Sequence, residues 1–218
     1  MKPNEAPQPR PTRGSGRTAR KREAIKEAGT AIFLRDGYLG ANMDEIAQLA
    51  DVSKQTIYTQ FQSKEALFLE IVSALTNAGS DAVHGDIPEL ATDGDLQAYL
   101  EDYAHKQLGI VLTPRLMQLR RVVIGEVGRF PELGRALYAN GPERAMATMA
   151  SLFKRLASRQ LLVIEDPVVA ASQFNWLVMS QPLNQAMLLG DAGIPGPAAL
   201  RRHITNGVRT FLAAYGAQ

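Results

Sequence analysis

Apolar residues recur at helical spacing in every strong segment of this 218-residue chain. Beyond residue 95, for example, Leu96, Leu100 and Tyr103 are spaced to share one helix face. No run alternates apolar and polar residues over the length of a β-strand. The pattern therefore predicts an all-α fold of about nine helices, with a small N-terminal head and a larger C-terminal body.

Residues 42–64 read as two short helices joined by a tight turn. Asn42 can cap the first helix and Ser53 the second. In the second helix Ile57 and Phe61 are four residues apart, so they share one face. A buried seam with polar and cationic groups on the opposite side suits a helix that lies in a DNA major groove.

The first of these two helices carries Ile46, Leu49 and Ala50 at near-helical spacing. We expect all three to pack inward, and Val52 in the turn to join them. The pair of helices would then have one continuous apolar side.

The segment resembles the helix-turn-helix of the tetracycline-repressor (TetR) family of transcription regulators. The resemblance covers residues 18–78, which it implies form a three-helix DNA-binding head with the helix-turn-helix at about 42–61. Asp51 and Gln55 depart from the pattern, because many relatives carry glycine there. The matching residues are Ala28, Phe33, Gly37, Tyr38, Ile46-Ala47, Leu49-Ala50, Val52-Ser53-Lys54, Thr56-Ile57-Tyr58, Phe61 and Ser63-Lys64-Glu65-Ala66-Leu67.

The resemblance implies that the second helix and its flanks contact DNA. Tyr58 and Lys64 are expected to contact phosphates, and Asn42 and Met43 to approach the DNA backbone. An alternative role for Thr56 is only to support the turn. The other candidates are Lys54, Gln55 and Thr59 for base edges, and Ser53 and Thr56 for either a phosphate or a base edge.

Positive charge is concentrated at the N-terminus. Residues 1–22 hold seven Lys and Arg residues and one Glu, whereas the whole chain has a net charge of only +2. Four prolines favour disorder, so we expect a basic, disordered arm over residues 1–17. Arg17 and Arg20 adjoin the first helix and are the arm's candidates for DNA contact. The alternative is a soluble leader that does not touch DNA.

Proline and glycine positions predict helix boundaries in the body. Ser63 can cap a fourth helix that ends near Gly79, and residues 80–94 read as a loop. Pro131 follows a break in the pattern, and Pro142 is expected to open a new helix.

Residues 115–190 resemble the C-terminal domain of one TetR subgroup, the AefR/AcrR-like regulators. The resemblance implies that residues 79–218 bind a small effector and form a homodimer. Tyr99, Tyr103 and Arg120 could supply polar groups to the effector, and Met149 an adaptable apolar surface. The alternative is that the methionines of the body are ordinary core residues.

Between residues 168 and 189 apolar side chains point all round the predicted helix. Such a helix must be covered on both sides. In the TetR family the last two long helices pair with those of a second subunit, although burial within a larger body would also explain the pattern. The expected interface residues are Phe174, Trp176, Leu177, Leu188, Ile204 and Phe211.

Several functional classes are disfavoured by what the sequence lacks. There is no cysteine, and the three histidines have no metal-ligand spacing, so we expect no metal or other cofactor. No nucleophile–base set or phosphate-binding glycine loop suggests an enzyme. No apolar run is long enough for a membrane span. The absence of cysteine leaves the cytoplasm as the expected location.

Taken with the resemblance, these patterns predict a DNA-binding transcriptional regulator that represses its target and leaves a palindromic operator when a small apolar or amphipathic effector binds. The alternative is a DNA-binding regulator without a small-molecule ligand, either controlled by a partner or acting as an activator. An enclosed cavity in the body would favour the first of these two.

Overall fold

The computed structural model describes residues 13–84, 90, 91 and 95–217, and in this part of the chain the secondary structure is helical, with one isolated β-bridge. The all-α prediction is therefore confirmed. The chain divides into two compact units, residues 1–71 and 72–218, whereas the sequence suggested a boundary after residue 78.

The first unit is built on three helices and the start of a fourth. Helix α1 spans Arg13–Gly40, α2 spans Met43–Leu49, α3 spans Lys54–Phe61, and α4 begins at Lys64 and ends at His84. Because α1 begins at Arg13, the prediction of a disordered arm is wrong for residues 13–17. The last proline of the arm is Pro11, so nothing after it prevents helix formation. Residues 1–12 lie outside the described part.

The core of the first unit forms between α1, α2, α3 and the start of α4. Ile25, Ile46 and Ile57 are fully buried. The rings of Phe33 and Phe68 lie 4.6 Å apart between centroids. This core holds α3 in place from one side only.

The prediction that Leu49 packs inward is wrong, since its side chain is 59% exposed. The buried face of α2 consists of Met43, Ile46, Ala47 and Ala50, which follow the i, i+3, i+4, i+7 spacing. Leu49 is out of phase with that spacing. Met43 takes the inward place instead.

Local hydrogen bonds define the turn between α2 and α3. Asn42 Oδ1 accepts from Asp44 N at 2.8 Å, and Ser53 Oγ accepts from Thr56 N at 3.1 Å, so both predicted caps are confirmed. Asp51 has φ 51°, in the left-handed region that glycine adopts most easily. Aspartate tolerates this region better than most residues, which explains how it can occupy this position of the turn.

The second unit contains the C-terminal half of α4 and six further α-helices. α4 continues past Gly79, which was predicted to end it. This glycine packs closely against Leu116, since a Cβ added to it would lie 3.2 Å from Leu116 Cδ1. The other helices are α5 (Leu96–Val111), α6 (Pro114–Glu126), α7 (Pro131–Tyr138), α8 (Arg144–Ser158), α9 (Pro167–Leu189) and α10 (Pro197–Tyr215).

Pro142 does not open a helix, contrary to the prediction. It lies inside a π-helical turn, Ala139–Glu143, that joins α7 to α8 without a break. A proline lacks the N–H of the regular helix, and the wider π turn accommodates it. If α7, the π turn and α8 are counted as one element, the described residues contain nine helices, the predicted number.

Helix α9 lies at the centre of the second unit, where it packs against α8 and α10. Phe153 of α8, Phe174 of α9 and Phe211 of α10 meet with ring centroids 4.9 to 5.6 Å apart. Val163 N donates to Tyr215 O at 2.7 Å, and this hydrogen bond joins the end of α10 to the segment between α8 and α9. These contacts fix which side of α9 faces the interior.

Candidate functional site

The outer side of α3 is a compact polar surface. Lys54, Gln55, Tyr58 and Thr59 are exposed, while Ile57 on the opposite side is fully buried. The predicted division of this helix into a buried seam and an outward face is thus confirmed. Contact of these outward groups with DNA stays a prediction.

Lys54 and Asp44 form an ion pair across the turn. Lys54 Nζ donates to Asp44 Oδ2 at 2.9 Å, and both side chains are largely exposed. The hydrogen bond to Asp44 raises the pKa of Lys54, so the amine stays charged. This pair was not predicted from the sequence, although Asp44 lies in the first turn of a predicted helix.

Ser53 and Thr56 also interact with each other. Their hydroxyl oxygens lie 2.8 Å apart. Thr56 is half-buried and its amide donates to Ser53 Oγ, so the turn-supporting role is present in the structure. Each hydroxyl still has a lone pair or proton for a further bond.

Lys64 is held by the first unit itself. Its Nζ donates to Ala41 O at 2.6 Å and lies 5.0 Å from the ring centroid of Tyr38. The same Nζ also donates to Leu39 O at 3.4 Å, and contact of Lys64 with a phosphate stays a prediction. Its position ties the segment before α2 to the start of α4.

Three other residues predicted to contact DNA differ in exposure. The side chain of Met43 is buried, so it cannot approach DNA, and that prediction is wrong for the side chain. Arg17 and Arg20 are exposed on α1. Lys21 was not singled out by the sequence analysis, but it lines a shallow groove together with Ser53 and Thr56.

In the second unit a cavity of about 80 Å³ lies between α4, α5, α6, the α7–α8 junction and α9. Small-molecule pockets usually measure roughly 300–1,000 Å³. A ligand of that class would therefore have to widen this one. Its walls are mainly aliphatic, with Val83, Ile110 and Leu116 among them.

Of the four predicted ligand-binding residues, only Arg120 lines this cavity. Tyr103 lies behind it, with its hydroxyl 3.1 Å from Nδ1 of the lining residue His84. Tyr99 lines a separate cavity beside Arg159, and Met149 is part of the buried core. For Met149 the core interpretation is the correct one.

The polar groups of the cavity are strongly affected by burial. Burial lowers the pKa of His84 to about 4, so its imidazole is neutral at pH 7. Burial also lowers the pKa of Arg120. Gln107 and Ser80 are buried, and Gln107 Oε1 and Ser80 Oγ have no hydrogen-bond partner in the part of the chain that the structure describes. Unpaired polar atoms of this kind are rare in folded proteins.

Half of the predicted dimer residues are unavailable to a partner. Phe174, Ile204 and Phe211 are 0% exposed, because they fill the core of their own subunit. The prediction is wrong for these three. In contrast, Trp176 is 50% and Leu188 80% exposed on the outer side of α9, with Leu177 half-buried between the two sides.

The described residues contain no group of His, Cys, Asp and Glu side chains that could hold a metal ion. Within the same part of the chain, no helix has the length and apolarity that a membrane crossing requires.

Two family models match this chain. The model described as "Bacterial regulatory proteins, tetR family" matches residues 25–71. The model described as "AefR-like transcriptional repressor, C-terminal domain" matches residues 98–217. The two matches correspond to the first and second units of the fold.

Similar solved structures span almost the whole chain. One, described as a TetR-family transcriptional regulator from Mesorhizobium loti, is 37% identical with a TM-score of 0.86, covering 92% of this chain and 99% of that one. Another, "Flavonoid-responsive Regulator FrrA", is 31% identical with a TM-score of 0.76, covering 91% and 98%.

Curated relatives match over shorter stretches. The HTH-type transcriptional regulator YhgD of Bacillus subtilis is 47% identical over 55 residues, which is 25% of this chain and 29% of that protein. The HTH-type transcriptional repressor NicS of Pseudomonas putida is 34% identical over 89 residues, or 38% of this chain and 42% of that protein. The chain thus spans less than half the length of these two relatives.

The C-terminal family match alone covers more than half of the chain, and the M. loti structure is similar over nearly its full length. The chain therefore belongs to the TetR family of bacterial regulatory proteins, with a C-terminal domain of the AefR-like class.

Proposed function

We propose that this protein is a sequence-specific transcriptional repressor. It binds a palindromic double-stranded operator as a homodimer in the cytoplasm and leaves the operator when a small apolar or amphipathic effector binds. The observation that carries the proposal is the division of α3 into two sides. Its outer side presents exposed hydrogen-bonding groups, and Ile57 on its other side is fully buried. A helix of this kind presents side chains to base edges while its other side anchors it.

Direct reading of bases is assigned to three residues of α3. Lys54 suits the acceptor atoms of guanine, Gln55 can bond adenine through two hydrogen bonds, and the Thr59 methyl suits thymine. All three are exposed. They would give the protein its sequence preference.

Phosphate contacts would position the unit on the duplex. The Tyr58 hydroxyl, the Lys64 ammonium and the backbone N–H groups that follow Asn42 are suited to this role. Ser53 and Thr56 could supply either kind of contact. Arg17 and Arg20 add positive charge on α1, which would strengthen binding to any DNA.

One such unit makes a short footprint, so two copies are needed for a specific site. Trp176 and Leu188 leave apolar surface exposed on α9, and Val168, Val169 and Leu189 extend it. An apolar patch of this kind on a helix is typical of an interaction surface. Pairing of α9 and α10 with the same helices of a second copy would cover it and give a two-fold symmetric dimer.

The proposal of effector control draws on the cavity in the second unit. A ligand that enters it must push the walls apart, since its volume is only about 80 Å³. One wall consists of α4 residues from Thr76 to His84, and α4 begins at Lys64. A ligand that favours one position of α4 would change the population of DNA-binding conformations. The name of one similar structure, a flavonoid-responsive regulator, agrees with an aromatic effector.

The small cavity is also the observation that favours the alternative, a regulator without a small-molecule ligand. Such a protein would be controlled by a partner or act as an activator. The two unpaired polar atoms in the cavity, on Gln107 and Ser80, favour a ligand instead.

The experiment is a footprint of the purified protein over genomic DNA, followed by binding measurements on the site found. We expect a palindrome with half-sites about one helical turn, or a multiple of it, apart. Lys54→Ala should relax the preference for one base pair. Tyr58→Phe, which keeps the ring, should weaken binding to all sequences alike. A protein that protects no site, or protects DNA without regard to sequence, would overturn the proposal.

A further inference from the structure

Two adjacent arginines of α6 have opposite surroundings. Arg121 donates to Asp191 Oδ1 at 2.7 Å and to Ala186 O at 2.9 Å. Arg120 has no hydrogen bond or ion pair with any residue that the structure describes, and it lines the cavity. Arg120 is half-buried, and a guanidinium that is partly shielded from water without a partner among the described residues is costly for the fold.

The cavity offers Arg120 no counter-charge. None of the described residues that line it is Asp or Glu. His84 is neutral at pH 7, because burial holds its pKa at about 4. The Tyr103 hydroxyl beside it stays protonated, since burial raises its pKa. The described residues of the lining therefore carry one positive charge and no negative one.

The uncharged polar groups of the cavity are also incompletely bonded. Gln107 Nε2 donates to Asn175 Oδ1 at 3.3 Å, which leaves Gln107 Oε1 without a donor. Gln107 is only 3% exposed and Ser80 7%, so bulk water does not replace the missing partners. A carbonyl oxygen of this kind requires an O–H or N–H from a ligand.

The rest of the lining is apolar. Val83, Ile110, Leu116 and Leu183 line the walls, together with Trp176 and Met179. Flat apolar groups are favoured in such surroundings, and Met adapts its shape to a ligand. Because the volume is only about 80 Å³, a ligand with a single ring requires the least displacement of the walls.

We propose that the effector cavity takes a small monoanionic aromatic acid, whose carboxylate pairs with Arg120 and whose hydroxyl donates to Gln107 Oε1. This inference rests on the proposed function for the location of the effector, and it adds the chemical class. A carboxylate supplies the missing counter-charge, and the fork of the guanidinium matches its two oxygens. The ring occupies the apolar part of the cavity.

Trp176 gives a direct readout of binding, because it is the only tryptophan of the chain and it lines the cavity. The test titrates the purified full-length protein with 4-hydroxybenzoate and with 4-hydroxybenzamide while tryptophan fluorescence is followed. The two compounds have the same ring and hydroxyl, and they differ in charge. We expect the acid to bind at least about tenfold more tightly than the amide.

Variants identify the group responsible. Arg120→Gln should remove the preference for the acid, and Arg120→Lys should keep part of it. The matched control Arg121→Gln changes the neighbouring arginine, whose partners lie outside the cavity lining, and should keep the full preference. Arg120→Gln should also be no less stable to heat than the wild type, because it removes an unpaired desolvated charge.

The inference is overturned if the amide binds as tightly as the acid, if Arg120→Gln keeps the preference, or if the acid causes no saturable change at millimolar concentrations. Release of DNA is measured separately on the footprinted site. If the amide releases DNA and the acid does not, effector control stands and the anionic class falls. If the acid binds but leaves the DNA complex unchanged, the ligand class stands and effector control by it falls.

Discussion

Lys54 and Asp44 form an ion pair on the surface that we assign to DNA, with Nζ and Oδ2 2.9 Å apart. Lys54 is the candidate for reading guanine, so the pair must open or shift when DNA binds. The pair is exposed to solvent, so opening it costs little. In the free protein, the Asp44 carboxylate therefore accepts the hydrogen bond that Lys54 would donate to a base in the DNA complex.

Asp44→Asn should strengthen DNA binding. The substitution frees Lys54 and removes a negative charge that would face the phosphates, so the slope of log affinity against log salt should steepen by about one unit. Binding titrations at several salt concentrations measure it. Glu45→Gln is the matched control, because Glu45 is also in α2 and pairs with Arg35 at 2.8 Å, away from Lys54. Equal effects of both variants would mean that general charge, and not release of Lys54, is responsible.

Lys64→Met keeps an unbranched side chain but removes the ammonium, whose nitrogen lies 5.0 Å from the ring centroid of Tyr38. We expect weaker binding to all DNA sequences and a salt slope smaller by about one unit. The loss of the bond to Ala41 O should also lower the free energy of unfolding by about 1 kcal/mol. Chemical denaturation and salt titration separate the two effects. An unchanged salt slope with reduced stability would leave Lys64 with a structural role alone.

Leu188→Glu should disrupt the dimer. Leu188 is 80% exposed on α9, so the substitution leaves the subunit's own fold intact while placing a charge in the proposed interface. We expect the dimer dissociation constant to rise by about 10-fold or more, as measured by sedimentation. Val163→Glu, which changes another exposed apolar residue outside α9 and α10, should have no such effect. A dimer that tolerates Leu188→Glu would place the interface elsewhere.

Phe174→Ala should behave in the opposite way. Its ring is fully buried and lies 5.1 to 5.6 Å from those of Phe153 and Phe211, so removing it leaves a cavity in the subunit core. The expected loss in the free energy of unfolding is about 3–5 kcal/mol. Under conditions where the variant is still folded, its dimer dissociation constant should match the wild type. If Phe174→Ala weakened the dimer without lowering the free energy of unfolding, Phe174 would belong to the interface and not to the core.

The neutral His84 makes the stability of the second unit depend on pH. Its pKa is about 4 in the folded state, against an ordinary value of 6.5, so the unfolded chain binds one more proton between these values. Stability therefore falls as pH drops from about 6.5 to 4, by at most about 1.4 kcal/mol per pH unit from this group. Denaturation curves across that range, compared with those of His84→Gln, isolate its part. If the two proteins lose stability in parallel, His84 is not the source.

Local chemistry explains what could be predicted from the sequence. Asn42 and Ser53 cap helices through bonds to amides two or three residues away, and Ile57 and Phe61 share a face because they are four apart. Such relations span less than two turns of helix. They hold whatever the rest of the chain does, which is why the outward face of α3 was found correctly.

The wrong predictions concern helices in which the apolar pattern allows more than one face to be the buried one. In α2 both Met43 and Leu49 are apolar, and only packing against α1 decides that Met43 is buried. In α9 apolar residues surround the helix, so periodicity could not separate Phe174 from Trp176. The position of α8 and α10 decides that the first is core and the second is surface.

The amino-acid sequence is enough to predict that this protein is helical, that it carries a capped helix-turn-helix with a polar outer face, and that it resembles TetR regulators. The folded structure is needed to find that Arg121 has an acidic partner while Arg120, one residue away, has none among the described residues. The two side chains are identical and adjacent, so no local pattern distinguishes them. Their difference comes from which distant segment each one meets, because burial and pairing are properties of the packed chain.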